Sequence, residues 1–348
     1  MTPIYLDYNA TTPTSPEVAD ALRPFLESGF GNPSSTHWAG APSKAALDEA
    51  RRQVGTFLDC ETDEIVLTSG GSEANNLAIK GRYFMSPGGP THVITSRIEN
   101  PAILAPCGFL ERLGAAVTYL PVDGTGLVDP DEVRKAIRSE TIQPIADSAR
   151  IAHAHGVPVH TDAAQSAGKI SARVDESGVD LLSVAGHKLY APKGVRALYV
   201  GRGTALEPLI HGAGHERGRR AGTESALLAM GLGAACRTAI AWAGMPSVER
   251  LRDLLWERLQ TSFGDRVILN GHPATGCRTR STSRSRITLG PISWRECHGS
   301  RLRPAPRATQ AGSRPRQCFP PWVSPRTSRW ARSGSASDAR RRPRRSSR

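Results

Sequence analysis

Short apolar runs alternate with helical patterns along most of this chain, and this alternation restricts its fold more than any other feature. The apolar runs are rich in β-branched residues and predict buried strands; they lie at 64–68, 91–95, 116–120, 157–161, 180–184 and 197–200. Helical patterns precede and separate them, among others at 18–26 and 43–57. Strands that are separated by helices build a parallel sheet covered by helices. We therefore predict an α/β fold with a large, mostly parallel sheet.

The alternation is interrupted once. A predicted helix at 130–137 continues through residues 138–143 into another helix that starts near Pro144, without an apolar run between them. A sheet built from strand–helix–strand units needs a strand at this point. We interpret the interruption as a local deletion of one strand.

Positive charge is concentrated in the C-terminal part. The chain has a formal net charge of +13, but residues 277–348 contain 19 Arg, no Lys and two acids, so that residues 1–276 carry −4. The tail also contains 13 Ser and 8 Pro, and such a composition cannot bury enough apolar surface to become ordered. Arg, Ser, Pro, Ala and Gly without Lys are also what a GC-rich coding sequence gives out of frame. A frameshift near Gly276 is therefore our hypothesis for the tail.

Length and composition restrict the class of protein further. A chain of 348 residues that is 39% hydrophobic predicts one large core and a smaller second one. The apolar stretch at 226–244 carries Arg237 at its middle, which favours a buried helix over a membrane span. The first residues lack a basic stretch followed by an apolar run, so we predict a cytoplasmic protein. Six scattered cysteines without a CxxC pair predict reduced thiols and no metal site.

Two ionisable residues follow neighbouring predicted strands. Asp162 comes directly after the strand at 157–161, and Lys188 follows the strand at 180–184. Ligands of open α/β sheets bind at the carboxyl ends of the strands. A pyridoxal-phosphate site needs a lysine amine that forms a Schiff base and an acid that pairs with the ring nitrogen. We predict these two roles for Lys188 and Asp162.

The other groups that such a cofactor requires lie nearby in the sequence. Gln165 can donate a hydrogen bond to the phenolic oxygen of the ring, and His187 can reach the phosphate or help to fix the lysine. Residues 69–73 connect a predicted strand to a helix, so that the backbone N–H groups around Gly71 and the hydroxyl of Ser72 point towards an anion. Each feature alone has a structural explanation, such as a tight turn, a surface lysine or a helix cap. Their combination supports the prediction.

Six motifs occur in a fixed order along the chain. They are YLDYNATTP at 5–13, GNPSSTH at 31–37, TSGGSEANN at 68–76, HTDAAQS at 160–166, AGHKLYAPKG at 185–194 and HERGRRAGTE at 215–224. Together they resemble the motifs of cysteine desulfurases, which belong to the class-V aminotransferase group of fold type I pyridoxal-phosphate enzymes. The resemblance fades near Gly276.

The resemblance implies an activity and an assembly. Enzymes of this family are homodimers that convert L-cysteine to L-alanine and an enzyme persulfide, which supplies iron–sulfur scaffolds or other sulfur acceptor proteins, in some pathways for nitrogen fixation. Lys188 would also move the α-proton of the substrate. Gly71, Ser72 and His187 would contact the cofactor phosphate, and Thr223 would reach the phosphate of the other subunit.

The resemblance also implies a division into domains. Residues 1–14 correspond to the N-terminal segment of a small domain and residues 15–245 to the large cofactor-binding domain. Residues 246–276 begin the small C-terminal domain, and the tail at 277–348 follows.

The chain departs from the family pattern at four places. One of them, Ala185 where some members have a phosphate-binding serine, carries little weight because other members also have alanine there. Asn100 stands where the family has a catalytic histidine stacked on the cofactor ring; we predict a catalytic position for it, although an amide cannot shuttle protons as imidazole does. The family's strand with an Asn-Asn-Glu loop is missing between Glu140 and Ile142. The family's Ser-Ala-Cys loop and its substrate-binding arginine do not occur after Gly276, where the cysteines are Cys277, Cys297 and Cys318.

The sequence leaves two alternative functions open. A selenocysteine lyase or another class-V lyase would depend less on a loop cysteine, because selenium leaves more readily than sulfur. A protein of a different class would bind polyanions or nucleic acid through its Arg-rich tail. The tail has few interleaved aromatic residues and no recognition module, which makes adventitious binding the better interpretation.

Overall fold

The computed structural model describes residues 5, 7–85, 92–124, 126–136, 145–242, 245–270 and 282–285. The chain divides into two units, Met1–Thr288 and Leu289–Arg348. All described residues belong to the first unit.

Helices and strands alternate as the sequence predicts. The helices are α1 (Pro16–Glu27), α2 (Gly40–Leu58), α3 (Gly71–Asn76), α4 (Arg82–Phe84), α5 (Pro101–Arg112), α6 (Pro130–Ala136), α7 (Ala146–His153), α8 (Val174–Ser177), α9 (Ala226–Ala241) and α10 (Met245–Phe263). The strands are β1 (Ile65–Thr68), β2 (His92–Ser96), β3 (Ala116–Leu120), β4 (His160–Asp162), β5 (Leu181–Ala185), β6 (Arg196–Val200), β7 (Val267–Asn270) and β8 (Thr282–Ser285). A π-helical turn, Leu77–Gly81, joins α3 to α4.

Local signals set the ends of the first two helices. Ser15 caps α1, since its Oγ accepts a hydrogen bond from the Val18 N–H at 3.3 Å, and Pro16 occupies the first turn, where no intrahelical donor is needed. α2 ends at Asp59, whose left-handed backbone (φ 57°) closes the helix. The helices predicted at 18–26 and 43–57 are thus confirmed.

One predicted strand is shorter than expected. The apolar run at 157–161 forms a strand only from His160, because Pro158 has no N–H for a sheet ladder. The N–H of Val159 donates instead to the Asp180 carboxylate at 2.7 Å. β4 therefore begins late and still ends at Asp162.

The main sheet has the strand order β1-β6-β5-β4. β4 and β5 are parallel, whereas β6 runs antiparallel to both of its neighbours, β1 and β5. β1, β5 and β4 consequently share one direction. Their carboxyl ends lie along the same edge of the sheet.

A cavity separates this sheet from the parallel pair β2-β3. It has a volume of about 190 Å³ and is lined by Ile94 and Thr95 of β2 and by His160, Thr161 and Asp162 of β4. In the described ranges no strand lies between α6 and β4; residues 137–144, where the sequence predicts a deletion, are outside those ranges. Among the described strands, β2 pairs with β3 and β4 pairs with β5, and the predicted deletion stays a prediction.

Helical layers cover both faces of the main sheet. Because side chains alternate along a strand, Ile65 and Leu67 join a cluster with α1, α2 and α9, whereas Val66 packs against Leu77 on the opposite face. Gly233 of α9 is required where α2 and α9 cross, since a Cβ there would lie 3.0 Å from the Ala50 Cα.

The last described elements follow α9. In the part of the chain that the structure describes, no single helix is long and apolar enough to cross a membrane, although the bent pair Ala226–Ala241 and Pro246–Arg266 reaches that length when taken together. Half of the residues of α9 are buried in the protein core, as predicted for 226–244.

A short part of the predicted disordered tail forms regular structure. β8 pairs antiparallel with β7, Val267 opposite Ser285, because an unpaired strand edge provides donors and acceptors that another segment can satisfy. The other tail residues, including Cys277, Cys297 and Cys318 and the Arg-rich segments of the polyanion hypothesis, lie outside the described residues.

Candidate functional site

Asp162 and Lys188 lie at the same edge of the main sheet. Asp162 ends β4 and is paired with Ser183 of β5, and β5 continues directly into the 3₁₀ turn Gly186–Lys188. The turn requires glycine at its start, because a Cβ on Gly186 would lie 2.9 Å from the Val195 carbonyl oxygen. The parallel pairing thus places the two predicted cofactor residues at neighbouring strand ends.

The N-terminal segment holds the Lys188 turn in place. The N–H and the Oγ1 hydroxyl of Thr12 donate to the His187 carbonyl at 2.9 and 3.0 Å. Thr12 Oγ1 also accepts from the Tyr190 N–H at 2.9 Å, at a residue whose backbone is left-handed (φ 64°). These partners are separated by about 175 residues, so no local sequence pattern reports the anchor.

Asp162 lies in a network of three donors. Its Oδ2 accepts from Asn75 Nδ2 at 2.8 Å, its Oδ1 accepts from the Ala164 N–H at 3.1 Å, and Oδ1 also forms an ion pair with Arg196 Nη2. Burial raises the pKa of Asp162, but the charge of Arg196 and the Asn75 hydrogen bond outweigh this effect and hold the pKa below its ordinary value. The carboxylate is therefore ionised at neutral pH.

Arg196 and Asn75 were not among the predicted site residues. In the sequence, Arg196 is only a charged residue directly before the apolar run at 197–200. In the structure it is the first residue of β6, and it is buried. Asn75 is fully buried in α3. Both reach Asp162 across the sheet edge, 34 and 87 positions away in the sequence.

The two histidines of the site are electrically neutral at pH 7. Burial lowers the pKa of His160 to about 4, and Arg196 lowers it further against the opposing effect of Asp162; His160 Nε2 lies 3.1 Å from Ser183 Oγ. Burial and the adjacent Lys188 lower the pKa of His187. His187 Nδ1 lies 3.1 Å from Thr11 Oγ1, which orients its ring.

Gln165 lies one turn after Asp162 and is held at both ends of its amide. Nε2 donates to the Asn9 carbonyl at 3.0 Å, and Oε1 accepts from Lys169 Nζ at 2.9 Å. The amide carries two N–H bonds, and the second remains after the bond to Asn9 is made. Gln165 is thereby fixed next to the predicted ring-nitrogen partner.

The predicted phosphate segment, 69–73, connects β1 to α3 and is braced by Glu73. The Glu73 carboxylate accepts from the N–H and the hydroxyl of Ser69, and its Oε1 pairs with Arg220 Nε at 2.7 Å. Ser72 is exposed in the first turn of the helix. A Cβ on Gly71 would lie 2.0 Å from Arg196 Nη1, so Gly71 is needed for the close approach of that guanidinium.

Thr223 lies on a loop that is fastened to the same part of the fold. Its side chain is exposed, and together with Thr68, Ser69 and Arg220 it lines a cavity of about 170 Å³. The structure therefore brings Thr223 close to the predicted phosphate segment of the same chain. Which subunit's cofactor Thr223 serves stays a prediction.

Asn100 is exposed and serves as a helix cap. Its Oδ1 accepts from the Ala102 N–H at 2.9 Å at the start of α5. The preceding Glu99 lines the cavity beside Asp162, and its Oε1 accepts from Ser96 Oγ at 2.7 Å. Burial raises the pKa of Glu99. The catalytic position predicted for Asn100 remains a prediction.

The described cysteines are poor nucleophiles. Burial raises the pKa of Cys60 and of Cys107 to about 12, and it raises the pKa of Cys236 as well. The thiolate is the reactive form of cysteine. In the described ranges, no group of three His, Cys, Asp or Glu residues is arranged to hold a metal ion.

The donor set at this edge fits pyridoxal phosphate. Among the described residues, Asp162 Oδ2 accepts one hydrogen bond, which leaves acceptor capacity for a protonated ring nitrogen. Two buried atoms lack a hydrogen-bond partner there, Asn75 Oδ1 and Arg196 Nε. Unsatisfied buried groups of this kind are rare in folded proteins. They indicate that the site is incomplete without a polar ligand.

Comparisons with known proteins agree with this assignment. The sequence model of the aminotransferase class-V family matches residues 4–274, and the match ends where the composition changes. The chain is 45% identical over 285 residues to the cysteine desulfurase IscS of Dictyoglomus turgidum, which covers 77% of this chain and 72% of the relative. It is 43% identical to the cysteine desulfurase IscS of Methanosarcina thermophila, covering 78% and 70%.

Solved structures show the same similarity. A NifS-like protein superposes with a TM-score of 0.73 at 30% identity, covering 76% of this chain and 78% of that one. A structure described as SspA in complex with cysteine has a TM-score of 0.69 at 37% identity, covering 76% and 79%. The chain belongs to the class-V aminotransferase family of pyridoxal-phosphate-dependent enzymes, and its relatives within that family are cysteine desulfurases.

Proposed function

We propose that this chain is a pyridoxal-phosphate-dependent cysteine desulfurase that converts L-cysteine to L-alanine. The observation that carries the proposal is the pairing of β4 with β5, which puts Asp162 and the Lys188 turn at one sheet edge in a chain that is 45% identical to a cysteine desulfurase. The similarity to a structure described with bound cysteine supports the substrate.

The residues around the cofactor ring have distinct roles in this proposal. When bound, pyridoxal phosphate withdraws electrons from the α-carbon of an amino acid. Lys188 Nζ attaches the cofactor and moves the α-proton of cysteine. The ionised Asp162 keeps the ring nitrogen protonated, and Gln165 donates its second N–H to the phenolic oxygen. We assign Asn100 to a position near the ring, where its amide N–H groups remain available while Oδ1 caps α5.

The phosphate end of the cofactor is assigned to a second group of residues. The backbone of Gly71 and the hydroxyl of Ser72 provide donors at the start of α3. His187 is neutral and half-buried, and it can donate one ring N–H to an anion. Thr223 completes the group from the loop that lines the cavity next to Ser69.

The sulfur atom must pass to a thiol. The carbon–sulfur bond of cysteine breaks, the β-carbon takes up a proton to give alanine, and the sulfur joins the acceptor thiol as a persulfide. Cys60, Cys107 and Cys236 have raised pKa values and do not suit this role. We assign it to an external thiol, because the family's Ser-Ala-Cys loop does not occur after Gly276.

The finer parts of the proposal follow from the family. We propose a cytoplasmic homodimer that passes sulfur to an iron–sulfur scaffold or to another acceptor protein, for cluster assembly or nitrogen fixation. One relative, which is 42% identical over 292 residues, is described as the mitochondrial cysteine desulfurase of Arthroderma benhamiae.

Cofactor binding and alanine release test the proposal. The purified chain is expected to carry a visible absorbance band with pyridoxal phosphate and to release alanine from L-cysteine when dithiothreitol is present as sulfur acceptor. Lys188→Ala should remove both signals. Lys135→Ala, a lysine with a 71% exposed side chain on α6, is the matched control and should keep both. A wild-type chain that binds no cofactor, or a band that survives Lys188→Ala, would refute the proposal.

A further inference from the structure

Arg196 is a buried cation inside the candidate site. Its side chain is 4% exposed, it begins β6, and its backbone is paired with Thr68 of β1 and with Ala185 of β5. Thr68 directly precedes the phosphate segment, and Ala185 directly precedes the Lys188 turn. The position of Arg196 in the sheet therefore places its Cα between the two chain segments that hold the opposite ends of the cofactor.

The guanidinium group bridges the two halves of the site. Nη2 forms the ion pair with Asp162 Oδ1, the predicted partner of the ring nitrogen. Nη1 lies so close to Gly71 that a Cβ there would be 2.0 Å away. One rigid, planar group thus contacts the acid of the ring end and the glycine of the phosphate end.

The hydrogen bonds of Arg196 are incomplete. A guanidinium carries five N–H donors, and within the described residues no acceptor lies within hydrogen-bond distance of the buried Arg196 Nε. Burial also lowers the pKa of Arg196, against the effect of Asp162. An unsatisfied donor of a buried cation is unfavourable, and an anion with several oxygen atoms next to Gly71 would satisfy it.

Pyridoxal phosphate carries one charge that can pair with Asp162 and one that can pair with Arg196. Its ring nitrogen, when protonated, is a cation that pairs with Asp162, and its phosphate is an anion that pairs with a guanidinium in a bidentate manner. Binding would therefore replace one internal ion pair with two ion pairs to the cofactor. No buried charge is left without a counter-ion in either state.

We propose that Arg196 is a ligand of the cofactor phosphate, which neutralises Asp162 while the site is empty and turns from Asp162 to the phosphate when the cofactor binds. This inference rests on the proposed function, because it requires that the site takes pyridoxal phosphate. It adds Arg196 to the residues that bind the cofactor phosphate, and it explains why a buried arginine lies beside Asp162, the predicted partner of the ring nitrogen.

Equilibrium dialysis tests the role of Arg196 by measuring the affinities for pyridoxal phosphate and for pyridoxal, which lacks the phosphate. Arg196→Met should weaken binding of pyridoxal phosphate about 10- to 100-fold, the loss of a charge-assisted contact. The same variant should bind pyridoxal as well as the wild type or better, because Asp162 is released. Arg196→Lys should recover part of the affinity for pyridoxal phosphate. Arg150→Met, an arginine with a 74% exposed side chain on α7, is the control and should change neither affinity.

A second pair of variants keeps the test valid if Arg196→Met does not fold. The variants Asp162→Asn and Asp162→Asn/Arg196→Met both lack the buried carboxylate. The double variant should still bind pyridoxal phosphate more weakly than the single variant, while their affinities for pyridoxal should be similar. An unchanged ratio of the two affinities, or tighter binding of pyridoxal phosphate by Arg196→Met, overturns the proposal for Arg196 while the proposed function stands. If the wild type binds neither compound, the proposed function fails first, and this inference fails with it.

Discussion

Arg51 of α2 and Glu216 form a bidentate ion pair across 165 positions of the sequence, with N–O distances of 2.8 and 2.6 Å. Their side chains are 8% and 0% exposed. Arg51 Nη1 also donates to the Ile65 carbonyl at 2.8 Å, and Glu216 accepts from the Leu67 N–H at 2.9 Å. The pair thus fastens the loop of Thr223 to β1, next to the phosphate segment.

Breaking this pair on one side is expected to destabilise the fold. Glu216→Gln leaves the buried charge of Arg51 without a counter-ion, which should lower the free energy of unfolding by about 3–5 kcal/mol. Urea denaturation measures the change. Glu49→Gln, which interrupts the exposed Arg52–Glu49 pair, is the control and should change it by less than about 1 kcal/mol. Equal effects of the two substitutions would show that the buried pair has no special role.

The anchor of the Lys188 turn should affect cofactor binding. Thr12→Val keeps the shape of the side chain but removes the Oγ1 bonds to His187 and Tyr190, so we expect a loss of about 1–3 kcal/mol of stability and weaker binding of pyridoxal phosphate. Thermal unfolding and equilibrium dialysis measure the two effects. Thr14→Val changes an exposed threonine and should be silent; cofactor affinity that is the same in both variants would contradict the anchor.

His160 should make stability depend on pH. Its pKa is lowered from 6.5 to about 4 in the folded protein, in contact with Ser183 and close to Asp162 and Arg196. Below pH 6.5 the unfolded chain binds a proton that the folded chain does not, so stability is complete above pH 6.5 and falls as the pH decreases towards 4. Between these values the unfolding free energy of the wild type should fall more steeply than that of His160→Gln, by up to about 1.4 kcal/mol per pH unit. Parallel slopes would contradict a neutral, buried His160.

The described cysteines should be unreactive in the native protein. A pKa of about 12 for Cys60 and Cys107 lowers the thiolate fraction at pH 8 roughly a thousandfold relative to a free cysteine. In a variant with Cys277, Cys297 and Cys318 replaced by serine, a disulfide reagent should therefore find no fast-reacting thiol until the protein is unfolded. A rapid native reaction of that variant would reopen the assignment of the sulfur acceptor.

The coding sequence tests the hypothesis on the tail. If a frameshift lies near Gly276, another reading frame downstream should encode a Ser-Ala-Cys loop and a later arginine of the family type. The match to the family, which ends at residue 274, agrees with this expectation. Resequencing that yields neither motif in any frame would exclude it.

The family, the positions of the strands along the chain and the placement of Asp162 and Lys188 at neighbouring strand ends are predictable from the sequence. Strands and helices leave periodic local signals, and residues that follow parallel strands meet at one sheet edge. The interruption near 138–143 is a signal of the same kind, and it stays a prediction because residues 137–144 lie outside the described ranges. Strand and helix positions, and the residues that follow each strand, can be predicted because they depend on residues that are close together in the sequence.

Tertiary structure alone decides which charges meet. Arg196 appears in the sequence as an arginine before an apolar run, yet it lies against Asp162 and Gly71 because β6 runs antiparallel between β1 and β5. Thr12 and Glu216 likewise find their partners across 175 and 165 positions. Such contacts leave no periodic signal, since burial and pairing of a polar group depend on the elements that pack around it. The sequence by itself determined the fold family and the placement of Lys188 and Asp162 at neighbouring strand ends. The packed structure determined that a buried arginine lies between Asp162 and the phosphate segment.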